Sequence, residues 1–297
     1  MSGFIDSMLI PTDGSTGALV GANVGIALAS QIGADVHVLS VAESRNGAVD
    51  SDDTVRSSLE ERAEEAVEAV VTAVENHDEE LDVTTVLEWG TPFQAIREYA
   101  VRHEIDVITM GTKGRTGLDR ILLGSVTENV LRTARTPVLA VPPEAGVETP
   151  GEVTFERLLL PTDGSEGAAI ATEWGIALAT RLESIVHTVY SVDMSRFSGN
   201  QEPPDLISSL ERRGEDALET VRNRARAADV GVSGSLATGP PAQVILTYAS
   251  DRDIDLIVMG THGQTGIGQW FLGSVTENVV RQADVPIFCV PVSAEAP

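Results

Sequence analysis

The stretch IDVITMGTKGRTG, residues 105–117, is followed after five residues by LGSVTENVLR, residues 123–132; the two return as IDLIVMGTHGQTG at 254–266 and LGSVTENVVR at 272–281. Working outward, SMLIPTDGS at 7–15 returns as RLLLPTDGS at 157–165, and GIALAS at 25–30 as GIALAT at 175–180. The offset is 150 residues in the early blocks and 149 in the later ones, so one net deletion separates two copies of a single unit. A period of that length is a whole domain, which makes this a tandem duplication and not a solenoid. Between the copies, PPEAGVETPGEVTFE at 142–156 carries three prolines, two glycines and four glutamates without apolar periodicity, which reads as a linker. The expected domains are 1–146 and 147–297.

Each copy alternates strand and helix. In the first, Met8–Pro11 is an apolar run ending in the turn Pro11-Thr12-Asp13-Gly14-Ser15, and Gly17–Ile32 follows at helical spacing. A strand at Val36–Val41 leads to a long amphipathic helix, Asp52–Glu75, with Ser51, Asp52 or Asp53 as its cap. Val83–Glu88 alternates as a strand, and Gly90-Thr91-Pro92 opens a helix with proline in its first turn. Asp106–Met110 is a short apolar strand of the kind buried on both faces; a helix at Ser125–Ala134 and a strand at Pro137–Val141 close the unit. The order βαβαβαβαβ predicts the α/β class: two tandem five-stranded parallel sheets, Rossmann-like, with helices on both faces.

Composition narrows the function. Of 297 residues, 42% are hydrophobic, enough for a substantial core. Forty-five acidic residues against 20 basic ones give a net charge of −25, and the only lysine is Lys113. Such a charge argues against a nucleic-acid backbone or an anionic membrane as partner. The first copy contributes −15 and the second −10, so neither is a dedicated anion-binding arm. Cys289 is alone, which excludes an internal disulfide and a multi-cysteine metal site. The first basic residue is Arg45 and the longest apolar stretch runs only from Ala18 to Ala29, so we expect a cytoplasmic protein without a membrane span. The acid excess with almost no lysine suggests a halophile's salt-rich cytoplasm.

Two loops sit where an open α/β sheet binds ligands, beyond the carboxyl ends of the strands. The first is the turn after strand 1, with Asp13 and, in the second copy, Asp163; its plain reading is a turn in which Asp or Ser caps the next helix. The second follows strand 4 and has the form G-x2-G-x9-G-S: Gly111, Gly114, Gly124, Ser125, and again Gly260, Gly263, Gly273, Ser274. Glycines let backbone approach a ligand, and Gly-Ser at a helix start offers free N–H groups to a phosphate. A competing reading is a capping box, Ser125-Val-Thr-Glu128 and Ser274-Val-Thr-Glu277, in which the helix satisfies its own amides. A glutamate in that first turn repels phosphate unless it points away or a cation intervenes.

These motifs resemble those of the universal stress protein family over nearly all of both copies: the glycine spacing, the PTDGS turn and the GSVTENV helix start. The resemblance implies strand order 3-2-1-4-5 and an adenine nucleotide in each copy, ATP or else ADP or AMP, with magnesium. It implies that Asp13 and Asp163 contact the nucleoside and that Val41, whose counterpart is Ser191, lies near the adenine. Gly111, Gly114, Gly124 and Gly260, Gly263, Gly273 would line the ribose and phosphate path. Ser125 with Thr127, and Ser274 with Thr276, would donate to phosphate oxygens. Pro11, Thr12, Met110 and Val126, matched by Pro161, Thr162, Met259 and Val275, complete the candidate sites. Arg115 adds charge in the first copy where the second has Gln264, so the first site is expected to bind more tightly. The family pairs domains through the last strand, which implies pairing of Pro137–Val141 with Pro286–Val290 within the chain and leaves room for a homodimer. The expected role is a nucleotide-responsive stress or signalling module.

Catalysis finds little support. The strand-1 turn lacks the SGGxDS loop of ATP pyrophosphatases, and no GxxxxGK[ST] loop is present. The five histidines are scattered without ligand spacing, and no general base stands out beyond Asp13 or Asp163. A phospho-receiver domain would need an aspartate ending strand 3 and a lysine after strand 5, where this chain has Glu88-Trp89-Gly90 and Val141-Pro142-Pro143. The alternatives left are a slow ATP hydrolase and a scaffold that binds nothing.

Overall fold

The computed structural model describes residues 4–43, 53–114, 123–193, 204–263 and 272–297. Two compact units divide the chain, Met1–Val153 and Thr154–Pro297. The first unit runs β1 (Ser7–Pro11), α1 (Thr16–Ile32), β2 (Asp35–Glu43), α2 (Asp53–His77), β3 (Val83–Gly90), α3 (Pro92–Arg102), β4 (Val107–Gly111), α4 (Ser125–Thr133) and β5 (Val138–Val141). The second repeats it as β6 (Arg157–Pro161), α5 (Glu166–Leu182), β7 (Ile185–Val192), α6 (Pro204–Ala227), β8 (Val232–Thr238), α7 (Pro241–Asp251), β9 (Leu256–Gly260), α8 (Ser274–Gln282) and β10 (Ile287–Val290). Of the caps offered for α2, Ser51 and Asp52 lie outside the described residues.

In each unit the strands are parallel and ordered 3-2-1-4-5, as β3-β2-β1-β4-β5 and β8-β7-β6-β9-β10. Right-handed crossovers that run outward in both directions from β1 and β4 place α1 and α2 on one face and α3 and α4 on the other. The contacts agree: α1 packs on α2, and α3 on α4. The order reverses between β1 and β4, so the loops leaving those strands open a crevice at the same end of the sheet.

Local chemistry explains the elements. Ser15 caps α1 by accepting from Ala18 N at 3.2 Å, Ser165 does the same for α5 through Ala168 N, and α1 ends on Gly33 in the left-handed conformation at φ 74°. Strand β4 is buried at every position because helices cover both faces, whereas the edge strand β3 leaves Leu87 and Trp89 about two-fifths exposed, at 42% and 40%. His37 on β2 lies 2.8 Å from the Tyr99 hydroxyl and its counterpart His187 3.2 Å from Tyr248; burial holds both imidazoles below the usual histidine range. These histidines are fixed structural pairs.

The stretch expected to be a linker is held to the first unit as far as Val153. Asn23 Nδ2 donates to Glu148 O at 2.8 Å and to Val147 O at 3.4 Å, and short 3-10 turns form at Pro143–Ala145 and Pro150–Glu152. The compact units therefore divide seven residues beyond 146, the expected end of the first domain. Among the described residues no helix is long and apolar enough to cross a membrane.

Candidate functional site

The turn after the first strand does two jobs at once. Gly14 and Gly164 sit at φ 74° and 75°, where a side chain is strained, so the chain reverses there on glycine. Asp13 Oδ1 accepts from Ser15 N at 3.0 Å and Asp163 Oδ1 from Ser165 N at 2.9 Å, while the serines cap the helices. The turn reading is correct, and it fixes the second carboxylate oxygen toward the strand-4 loop. A Cβ on Gly114 would lie 3.3 Å from Asp13 Oδ2, and one on Gly263 2.8 Å from Asp163 Oδ2.

The glycines of G-x2-G-x9-G-S have separate causes. A Cβ on Gly260 would meet Gly167 O at 2.7 Å, and one on Gly111 would come closer still to Gly17 O, so the first glycine lets helix and strand backbones touch. The second faces the aspartate. The third caps the helix: Gly124 N donates to Thr112 O at 2.7 Å and Gly273 N to Thr261 O at 2.8 Å, folding the loop back onto the strand end.

The capping box is not formed. Gly124 and Gly273 are the N-caps, neither helix has a side-chain cap, and Ser125 and Ser274 are the first helical residues. That register puts each glutamate four residues past the cap, one too far to reach back. Instead Glu128 Oε1 pairs with Arg132 Nη2 at 2.8 Å and Glu277 Oε1 with Arg281 Nη2 at 2.9 Å, one turn onward, so both carboxylates point away from the helix start. The first-turn N–H groups of α4 and α8 have no intrahelical acceptor and carry the positive end of the helix dipole. Thr127 Oγ1 donates to Gly111 O at 2.7 Å and Thr276 Oγ1 to Gly260 O at 2.8 Å. Those hydroxyl protons are committed, which corrects the expectation that they donate to phosphate; at these two positions the backbone N–H is the donor left.

In the second unit these pieces enclose a cavity of about 390 Å³, within the range of small-ligand sites. Every expected residue of that copy lines it: Pro161, Thr162, Asp163, Ser191, Met259, Gly260, Gly263, Gly273, Ser274, Val275 and Thr276. Ser191 Oγ donates to Gly239 O at 2.6 Å, so its polarity is satisfied within the sheet. Arg115 and Gln264 lie outside the described residues. In the first unit Asp13, Gly111, Gly114, Gly124 and Thr127 are brought together as their counterparts are. Pro11 ends β1 beside Leu39, Thr12 follows it with its N–H on Leu39 O, Val41 sits near the end of β2, and Met110 is buried in β4. Lys113 does not point its charge at an open helix start; its Nζ is 2.9 Å from Glu144 Oε1.

The cavity also has walls that the motifs did not announce: Tyr190 from β7, Leu210 and Arg213 from α6, Pro241 and Ile245 from α7, and His262. A signal existed for one of them, since SSLEER at 57–62 returns as SSLERR at 208–213 with the final arginine kept. Cys289 lies fully buried, and burial pushes its thiol up to about 12, so it carries no thiolate near neutral pH.

A sequence model of the universal stress protein family matches residues 5–142 and 154–291, once per unit. The chain belongs to the universal stress protein family. Universal stress protein MJ0531 of Methanocaldococcus jannaschii is 36% identical over 143 residues, covering 47% of this chain and 84% of its own. The crystal structure of a universal stress protein from Archaeoglobus fulgidus covers 96% of both chains at a TM-score of 0.73 and 23% identity, a likeness of fold. A universal stress protein solved in complex with cAMP aligns with 47% of this chain and 98% of its own at 21% identity and a TM-score of 0.36.

Proposed function

We propose that each domain of this universal stress protein binds one adenine nucleotide, ATP with a magnesium ion in the first instance, and that the protein acts as a nucleotide-responsive module with little or no catalysis. One observation carries the reading: the glycine loop, Asp163 and an α8 start with no side-chain cap converge on one cavity, while Glu277 is turned down the helix onto Arg281. Uncapped amides at a helix start suit phosphate, and a carboxylate fixed beside a loop glycine suits ribose hydroxyls. Nucleotide binding would bias conformation or assembly through unequal affinity for two states.

Ser125 and Ser274 are exposed at the first helical position, so glutamate there is compatible with the helix dipole but opposes a phosphate. Heating the purified protein should release adenine nucleotide that chromatography identifies. Calorimetric titration of nucleotide-free protein with ATP and magnesium should give two equivalents, falling to one in Ser125→Glu or Ser274→Glu. Neither nucleotide in the supernatant nor heat on titration would return the protein to the scaffold reading.

A further inference from the structure

The cavity of the second domain has two carboxylates in its wall, Asp163 and Asp193, which disfavour an anionic ligand unless a cation offsets them. The cationic side chain lining it, among the described residues, is Arg213. Its neighbours on α6 are spoken for. Arg222 bonds Glu215 and Glu219, Arg224 bonds Glu173, Arg226 bonds Glu219, and Arg212 Nε donates to Ser208 O at 3.1 Å. The Arg213 side chain, exposed on α6, makes no ion pair or hydrogen bond among the described residues. It lies one helical turn from Leu210, which lines the same cavity, so the chain carries the guanidinium past the opening on a rigid element. In the duplicate, Arg62 holds the same place in SSLEER and likewise has no ion pair among the described residues.

We propose that Arg213 holds the phosphate chain of the nucleotide in the second domain, and that Arg62 does so in the first. The inference rests on the nucleotide reading of the cavity and adds what the glycine loop lacks, a side-chain positive charge. A guanidinium forms paired N–H···O bonds to phosphate oxygens and stays charged at any working pH. Recognition of phosphate is then shared between Arg213 and the backbone N–H groups at the start of α8, while Asp163 meets the nucleoside.

The test titrates the two-domain chain, in a Ser125→Glu background that leaves the second site as reporter, with adenosine and with ATP. Arg213→Gln should weaken ATP roughly tenfold and leave adenosine unchanged. Arg212→Gln removes the same charge one residue away and should leave both unchanged. Equal losses for ATP and adenosine in Arg213→Gln, an unchanged ATP affinity, or the same loss in Arg212→Gln would each overturn the assignment. If the Ser125→Glu protein binds neither ligand, the nucleotide reading fails, and the assignment with it.

Discussion

Gly260 and Gly263 are three residues apart in one motif, yet their environments differ. Gly260 lies against the backbone of Gly167, where a Cβ would sit 2.7 Å from a carbonyl oxygen that α5 holds in place. Gly263 faces the far end of the Asp163 side chain, which can shift by loosening its bond from Ser165 N without moving backbone. Gly260→Ala should therefore destabilise the second domain by about 1–3 kcal/mol, the usual cost of overpacking. Gly263→Ala should stay within about 0.5 kcal/mol of wild type in urea melts while weakening ATP binding, because it displaces the carboxylate proposed to meet the ribose. Equal destabilisation by both would show that the motif is packing alone. Sequence could mark all three glycines as needed, but not why each is, since Gly260 and Gly263 face Gly167 and Asp163 far back in the chain and Gly273 N is bonded to Thr261 O only once the loop has folded back.

At the scale of the element, the contact between β7 and α6 differs from its counterpart between β2 and α2. Tyr190 and Gly214 stand where the first domain has Ser40 and Ala63, so the second domain has the larger strand residue and a helix residue without Cβ. Tyr190 packs with Val192 and Leu218, and a Cβ on Gly214 would meet its Cδ1 at 2.7 Å and Leu236 Cδ2 at 2.5 Å. Gly214→Ala should cost stability despite alanine's better helix propensity, about 1 kcal/mol. In a Tyr190→Ser background the cost should shrink, with a coupling of roughly 0.5–3 kcal/mol in the double-mutant cycle. Additive losses would mean that the two positions do not share one space. The start of α8 gives the complementary lesson. SVTE matched a capping box by spacing, but a one-residue difference in helix register made glycine the cap and sent Glu277 to Arg281. Register at a helix end depends on where the preceding loop is anchored, here by Gly273 N on Thr261 O, and local pattern does not contain that.

For the whole molecule, a net charge of −25 on 297 residues makes self-repulsion a standing cost of the folded state. Salt shortens the Debye length from about 10 Å at 0.1 M to about 3 Å at 1 M, so the melting temperature should rise steadily on adding molar potassium chloride. A flat melting curve across that range would remove the halophilic proposal. Arg213 stands out by its place, as the arginine in the wall of the cavity, and that place is known only once α6 is packed. The sequence by itself determined that there are two domains, that each alternates strand and helix, and which loops crowd the switch point. Hydrophobic period, proline and glycine punctuation and repetition act over a few residues and survive in a linear reading. Only the tertiary structure decided that Asp163 faces Gly263, that Thr276 spends its hydroxyl on Gly260, that the glutamate turns from the helix start and that α6 brings an arginine to the cavity. Those facts are distances between segments far apart in the chain, set by how layers pack and not by what any one segment prefers.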